Sequence, residues 1–334
     1  IRFEYLVTAG GDSNNSASFV SQVNGVGVLS TRKVAVGGSG IESVESIKEN
    51  APNFFQTQGR AVTKGDFEVL IEKQMGTNIQ TSVWGGEEND PPNYGRVYVS
   101  AVSNDRRLLA DSQRQEILGL CNEKSLVSVV PEFLDPVLID IRLSGQLTFD
   151  ADLSYKTVEE MSSLVTQYTR NYPLRTFNDS FRISDYISEL LDIDSGIVGE
   201  NIQMHLSRSY SASEDEPVYS LTIPFKNAIR DPEGQPASVV ESLSPFRVIK
   251  DDIVYLVRLY DDGLGKIEIW DTATDNNMGT IGSVNYENGR IQINNLGAIE
   301  NFTIQIDPRL NLITAKHNLV LTVKDPDIEI NRIN

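Results

Sequence analysis

A single thiol, Cys121, is all that 334 residues offer to disulfide or cysteine-cluster chemistry, so an internal disulfide framework and a cysteine zinc site are both excluded. Following Ile117, Leu118 and Leu120, it reads as a small apolar core residue, and assembly in a reducing, intracellular setting is expected. Histidine is nearly as scarce. His205 and His317 adjoin neither a G-x-S-x-G elbow nor an H-E-x-x-H pair, so triad hydrolase and zinc hydrolase chemistry lack their diagnostic parts. Both read as satisfied surface side chains. No run of basic residues exists, and 47 acidic against 29 basic side chains leave a net charge of −18. Binding nucleic-acid phosphates or an anionic lipid surface needs local positive charge, so neither nucleic acid nor membrane is an expected partner. No apolar run approaches the ~20 residues of a membrane helix. The opening IRFEYLVTAG lacks both an initiating Met and a signal-peptide apolar region, so the chain is expected to be the later part of a longer protein.

Two stretches imitate ligand sites without completing them. Val34 to Gly40 followed by a helix looks like a strand–glycine loop–helix phosphate cradle. Ser43 stands where the third fingerprint glycine belongs, Glu42 would repel an anion, and no P-loop lysine follows. Asp192-Ile193-Asp194-Ser195-Gly196 opens like a calcium loop, but the twelfth position is Gln203 rather than a bidentate acid. Asp261-Asp262-Gly263, Asp325 and Asp327 read as turn or surface acids. The expected site inventory is therefore no catalytic residue, no metal ligand and no cofactor. Carboxylates that converge only in space leave a glycan hydrolase as a remote alternative.

What is present is organised around Gly37 to Ile71. Ser39 and Glu42 have capping-box spacing, and Ile41, Val44 and Ile47 follow as an apolar stripe; Asn50-Ala51-Pro52 should end that helix. Thr63 with Asp66 starts the next one, with Val62 placed to staple onto Phe67. Strands are expected at 78–84 and 96–102 around a long exposed GGEENDPPNYG loop. A helix capped by Ser112 and Gln115 should run to about Glu123, with a strand at 126–130. Val137, Ile139, Ile141, Leu143, Leu147 and Phe149 alternate with Asp140, Arg142, Ser144, Gln146 and Thr148, the mark of a strand with one buried face. Thr157 and Glu160 then cap a helix, a shorter helix lies near 185–191, and a strand near 197–206. SEDEP at 213–217 is the best linker candidate and 230–245 a second polar interruption. Beyond lie strands at 254–260, 266–270, 281–286, 290–294, 302–306 and 318–323, with Asn288-Gly289 as a type I′ hairpin signal.

A length of 334 implies about two or three domains at ~150 residues each. The expected fold is α+β and multi-domain, mixed α/β units followed by a β-rich C-terminal domain. Its expected parts are a small β-unit over 1–36, an α/β unit over 37–133, a second over 134–215, and a β-rich domain over 216–334. Trp84 and Trp270 both fall on the polar side of their strands. That position fits anchors of a protein interface, a sugar-stacking platform, or a face covered by a second layer.

The strings GGSGIESVESIKENAP and GRAVTKGDFEVLI resemble the Gly-Gly, Glu-Ser, Ala-Pro and Arg-Ala-Val-Thr run of the baseplate J-like proteins, with Phe67 where relatives carry Tyr. VVPEFLDPVLIDIRLSGQLTFD, GRIQINNLG and AKHNLVLTVKDPDIEI resemble later strands of the same family more weakly. The fit is closest to the larger wedge subunits. The resemblance implies a non-enzymatic subunit of a contractile tail baseplate, assembled in the host cytoplasm and carried in the virion. It implies partners as well: itself, as a homodimer and a higher ring around the central hub, and other wedge proteins, with rigid-piece rearrangement on contraction. The rival expectation is a receptor- or carbohydrate-binding tail module.

Overall fold

The computed structural model describes residues 12, 43–76, 78–89, 91–232 and 238–333. The expected β-unit over 1–36, the glycine loop and the Ser39–Glu42 cap lie outside the described residues, Asp12 apart. The chain divides into two compact units, Ile1–Pro136 and Val137–Asn334.

In the first unit α1 (Val44–Thr57) and α2 (Lys64–Met75) precede β1 (Ile79–Gly85) and β2 (Arg96–Ser103). Next come α3 (Asp111–Lys124) and β3 (Val130–Phe133), and the sheet order is β1-β2-β3. β1 and β2 pair antiparallel, whereas β3 joins β2 in parallel after the α3 crossover, as a parallel connection requires. Phe67, Leu70 and Ile71 of α2, with Ile117 and Cys121 of α3, bury against Ile79, Val83 and Val99 of the sheet.

Thr63 forms the expected cap: its Oγ1 accepts from Asp66 N at 3.3 Å, and Asp66 Oδ2 accepts from Thr63 N at 2.8 Å. Val62 stays 62 % exposed, so the expected staple buries little of it. Three other expectations are corrected. α1 runs through Pro52 to Thr57. One missing N–H is outweighed by the anchoring of Phe54, which packs on the core and lies under Lys73 Nζ, 3.3 Å from its ring centroid. The helix ends instead at Gln58 and Gly59, both with positive φ. α3 starts at Asp111 rather than after Ser112, because Gln113 Oε1 accepts the N–H of Ala110. The strand expected at 126–130 begins only at Val130, since Val129 N closes a turn onto Leu126 O.

The second unit contains β4 (Val137–Asp150), α4 (Val158–Arg170), β5 (Ser180–Arg182), α5 (Ile183–Leu191) and β6 (Ile197–Tyr210). Then follow β7 (Leu221–Pro224), β8 (Val240–Ser242), β9 (Phe246–Lys250), β10 (Ile253–Asp261), β11 (Lys266–Asp271) and β12 (Asn276–Asn285). β13 (Arg290–Ile293), β14 (Phe302–Ile306), β15 (Leu312–Thr314), β16 (Leu319–Val323) and β17 (Asp327–Ile333) complete it. Among the described residues one large sheet has the order β16-β4-β6-β14-β8-β10-β11-β12-β13-β7, with β17 on β4 and β9 on β10; β5 and β15 pair separately. The fold is α+β with a β-rich C-terminal region.

β4 is the spine. Ile139, Ile141, Leu143, Leu147 and Phe149 are each at most 1 % exposed, roughly 1.5–3 kcal/mol of gross transfer energy apiece. α4, capped by Thr157 and Glu160 as expected, adds Met161 and Val165 to the same core. β7, β9 and β15 are short strands whose pattern gave no sequence expectation; β8 lies inside the stretch 230–245 expected as a polar interruption, and β17 begins within the C-terminal run expected as strand only by resemblance. SEDEP folds into a turn in which Ser213 Oγ accepts from Glu216 N, and β14 returns beyond it to pair with β6. The hairpin at 288–289 exists, but its turn is not type I′: only Gly289 has positive φ, while Asn285 Oδ1 accepts from the N–H groups of Glu287 and Asn288. The two-residue turn with both φ positive is Asp251-Asp252, between β9 and β10. No helix among the described residues is long and apolar enough to cross a membrane.

Candidate functional site

The strongest convergence of polar groups lies on one face of β4 and β6. Their antiparallel register sets Arg142 opposite His205 and Ser144 opposite Gln203, which makes Ser144 and His205 diagonal neighbours on that face. Ser144 Oγ lies 2.9 Å from His205 Nε2, and His205 Nδ1 lies 2.7 Å from Asp307 Oδ1, just past β14. The other carboxylate oxygen takes the guanidinium of Arg230, whose N–H also donates to Asp307 O at 2.9 Å. Because a carboxylate only accepts, the proton on Nδ1 faces Asp307, and at Nε2 the ring and the Ser144 hydroxyl share a hydrogen bond whose direction follows the ring's proton count. Burial alone would raise the pKa of Asp307; hydrogen bonds and charge from His205 and Arg230 outweigh it and hold the carboxyl below its ordinary range. His205 is therefore not the surface side chain expected, with only 16 % of its side chain exposed. It borders an open cleft of about 560 Å³, shared with Ile183 and Ile187 of α5.

Hydroxyl, imidazole and carboxylate follow the order of a nucleophilic triad, but the surroundings do not support acyl transfer. Ser144 sits mid-strand with neighbours on both edges, Gln203 of β6 and Asp327 of β17, so its own backbone supplies no free pair of N–H groups for an oxyanion. Ser144 does not line the cleft. Arg230 shares the carboxylate that would otherwise support an imidazolium alone. What the row does physically is tie together β4, β6, the end of β14 and the Arg230 segment.

The two tryptophans part company. Trp84 is 3 % exposed, stacks on Tyr98 at 5.7 Å between centroids, and donates Nε1 to Asn89 Oδ1 at 3.0 Å. The connection is exposed over 91–95, as expected, but two of its side chains reach this face: Asn89 accepts from Trp84, and Asn93 Nδ2 donates to Tyr98 OH. A Cβ on Gly86 would meet Asn93 O at 1.8 Å, which explains the glycine. Trp270 is half-buried and stands opposite Arg258 of β10, its Nε1 donating to Glu268 Oε2 at 3.2 Å. Val254 and Leu256, 52 % and 45 % exposed, continue the same face of β10, giving an apolar patch beside an Arg and a Trp.

The remaining candidates have local partners. Cys121 is buried, and burial pushes its thiol up to about 12, as suits a core residue. Asp194 pairs with Lys156 and accepts from Gly196 N, the turn expected of that stretch. Asp325 takes a bidentate Arg170. His317 occupies a turn with φ of 59° ahead of β16. Sequence reasoning missed Ser144, Asp307 and Arg230 as partners of His205; the only signal was their placement at polar positions, which does not reveal register.

Residues 63–134 match the family described as "Baseplate structural protein gp6, C-terminal domain I". The chain is similar to the baseplate wedge protein gp6 of Enterobacteria phage T4, 22 % identical over 293 residues that make up 80 % of this chain and 44 % of that protein. It thus spans less than half the length of that relative. A structural likeness to the cryo-EM structure of the anti-feeding prophage baseplate, 6-fold symmetrised, covers 51 % of this chain and 39 % of that one, at 14 % identity and a TM-score of 0.38.

Proposed function

We propose that this chain is the ring-forming part of a baseplate wedge subunit, carried in the virion of a contractile-tailed phage and non-catalytic. The observation that supports it most is similarity to a baseplate wedge protein through 80 % of the chain. Its work is mechanical: it binds copies of itself and neighbouring wedge proteins, holds a ring around the central hub, and shifts as rigid pieces when the tail contracts. Kinship with the baseplate J-like family in particular belongs to the same proposal, as does the finer division at 216 into an α/β unit and a β-rich domain.

Two features of the geometry fit this work. The Ser144–His205–Asp307–Arg230 row braces distant segments of the second unit, which favours movement as one piece. The Trp270 face sets Trp270 opposite Arg258, two residue types enriched among interface hot spots, with exposed Val254 and Leu256 extending it as apolar surface, and we assign it a contact with a neighbouring subunit. Trp84 serves that role only indirectly, by fixing its loop. The half-buried indole of Trp270 also favours a carbohydrate-binding tail module as a second reading.

Low-resolution imaging of the full-length protein mixed with its neighbouring wedge proteins tests the first reading, and a glycan array tests the second. Closed rings or wedge complexes with an empty array support the structural subunit. Isolated particles together with specific glycan binding would replace it.

A further inference from the structure

Several cations of the second unit meet carboxylates: Lys156 meets Asp194, Arg170 meets Asp325, and Lys324 meets Asp140. Arg208 and Lys226 do not. Among the described residues neither forms an ion pair, in a chain whose net charge is −18. Arg208 of β6 donates to Pro224 O at 3.2 Å and stands 5.4 Å from the ring centroid of Tyr210. Lys226 keeps exposed surface while its ammonium turns inward to Asn318 Oδ1 at 2.6 Å. The Arg208 bond to Pro224 O brings its guanidinium to the segment that carries Lys226 two residues on; burial lowers the pKa of both cations, and the charge of Arg208 lowers that of Lys226 further. The hydroxyl of Tyr210 is buried without a hydrogen-bond partner.

Lys226 is held there against its backbone preference. Its φ is 56°, in the left-handed region where Asn or Gly is the ordinary choice. The turn cannot relax, because it is fastened to the β12–β13 hairpin. Phe225 is fully buried and donates its N–H to Gly289 O at 3.0 Å; Ile229 is fully buried and donates to Tyr286 O at 2.8 Å. A Cβ on Gly289 would meet Asn227 O at 1.9 Å. The position of the Lys226 side chain is therefore set by the buried residues on either side of it rather than by its own preference.

The geometry points to an oxyanion site, for a carboxylate or a phosphate group, formed by the Arg208 guanidinium, the Lys226 ammonium and the Tyr210 hydroxyl. Neutral acceptors such as Pro224 O and Asn318 Oδ1 satisfy hydrogen bonds, but they do not offset two neighbouring positive charges; an anion does. The exposed side of Lys226 is the entrance. The ligand's source is either a free small anion or an acidic side chain of another protein. This site stands independently of the wedge reading.

Thermal unfolding in inorganic phosphate, in succinate and in sodium chloride of equal ionic strength tests it, on the natural chain and on Lys226→Asn. Asparagine suits the positive φ, so that variant keeps the fold while losing the ammonium. The expected result is a saturable rise in Tm that chloride does not reproduce, with half-saturation at least tenfold weaker in Lys226→Asn. A response to phosphate that exceeds that to succinate identifies a free phosphate-like anion; the reverse identifies a carboxylate, as a partner's Asp or Glu would supply. Equal Tm in all three salts, or an undiminished response in Lys226→Asn, would overturn the site.

Discussion

His205 Nδ1 lies 2.7 Å from Asp307 Oδ1, though 102 positions separate the two residues in sequence. With Arg230 on its other oxygen, Asp307 has a lowered pKa in the fold. A lowered carboxylate pKa contributes stability that is present above its unfolded value and is lost as pH falls through the folded one. Asp307→Asn should therefore destabilise by ~1–3 kcal/mol near neutral pH, toward the low end because Arg230 is 55 % exposed and screened. The gap to the natural protein should narrow below about pH 4. Urea unfolding at the two pH values checks it, and a gap that does not narrow refutes the assignment.

Asp261 behaves in the opposite sense. It is 5 % exposed, Oδ1 accepts from Tyr286 OH and Gly263 N, and Oδ2 has no partner. Burial raises its pKa, so the protonated acid is favoured and its contribution to stability is lost as pH rises. Asp261→Asn keeps the Oδ1 acceptor and removes the buried charge. It should raise stability near neutral pH, recovering part of the ~1–3 kcal/mol that an unsatisfied buried group costs, and should gain less at about pH 4. Thermal melts across that range measure the difference.

The β9–β10 turn holds Asp251 and Asp252 at φ of 51° and 62°. Asp252→Gly relieves that strain at a position where glycine is the preferred residue of a type I′ turn, and should stabilise by a few tenths to ~1 kcal/mol despite the added chain entropy. A denaturation midpoint that falls would show that the Asp252 side chain makes a compensating contact.

Thr63→Ala removes the acceptor for Asp66 N and should cost ~0.5–2 kcal/mol. An unchanged Tm would reopen this loop as a binding element.

The parts legible in the sequence were those written into a few neighbouring residues. The Thr63 and Thr157 caps, the β4 alternation and the presence of the 288–289 hairpin all depend on spacings of a turn or less. Pro52 misled because the contact that carries α1 past it, Phe54 beneath Lys73, comes from another helix. Asn288-Gly289 misled on turn type because a third residue, Asn285, supplies a side-chain acceptor. The polar row at His205 was illegible for a different reason. Ser144, His205 and Asp307 each sit at a polar position, but which ones meet depends on strand register, a long-range property. Trp84 was placed on the right face of its strand, and only the path of the loop decided that the face is covered.

Self-association tests the central claim most directly. A two-fold contact closes at two copies, whereas a head-to-tail contact continues into rings or filaments. Sedimentation across micromolar concentrations, on this chain alone and with a neighbouring wedge protein, should show a dimer that grows into larger assemblies only with the partner, and Trp270→Ala should weaken association more than added salt does. A strict monomer under every one of these conditions would contradict the account.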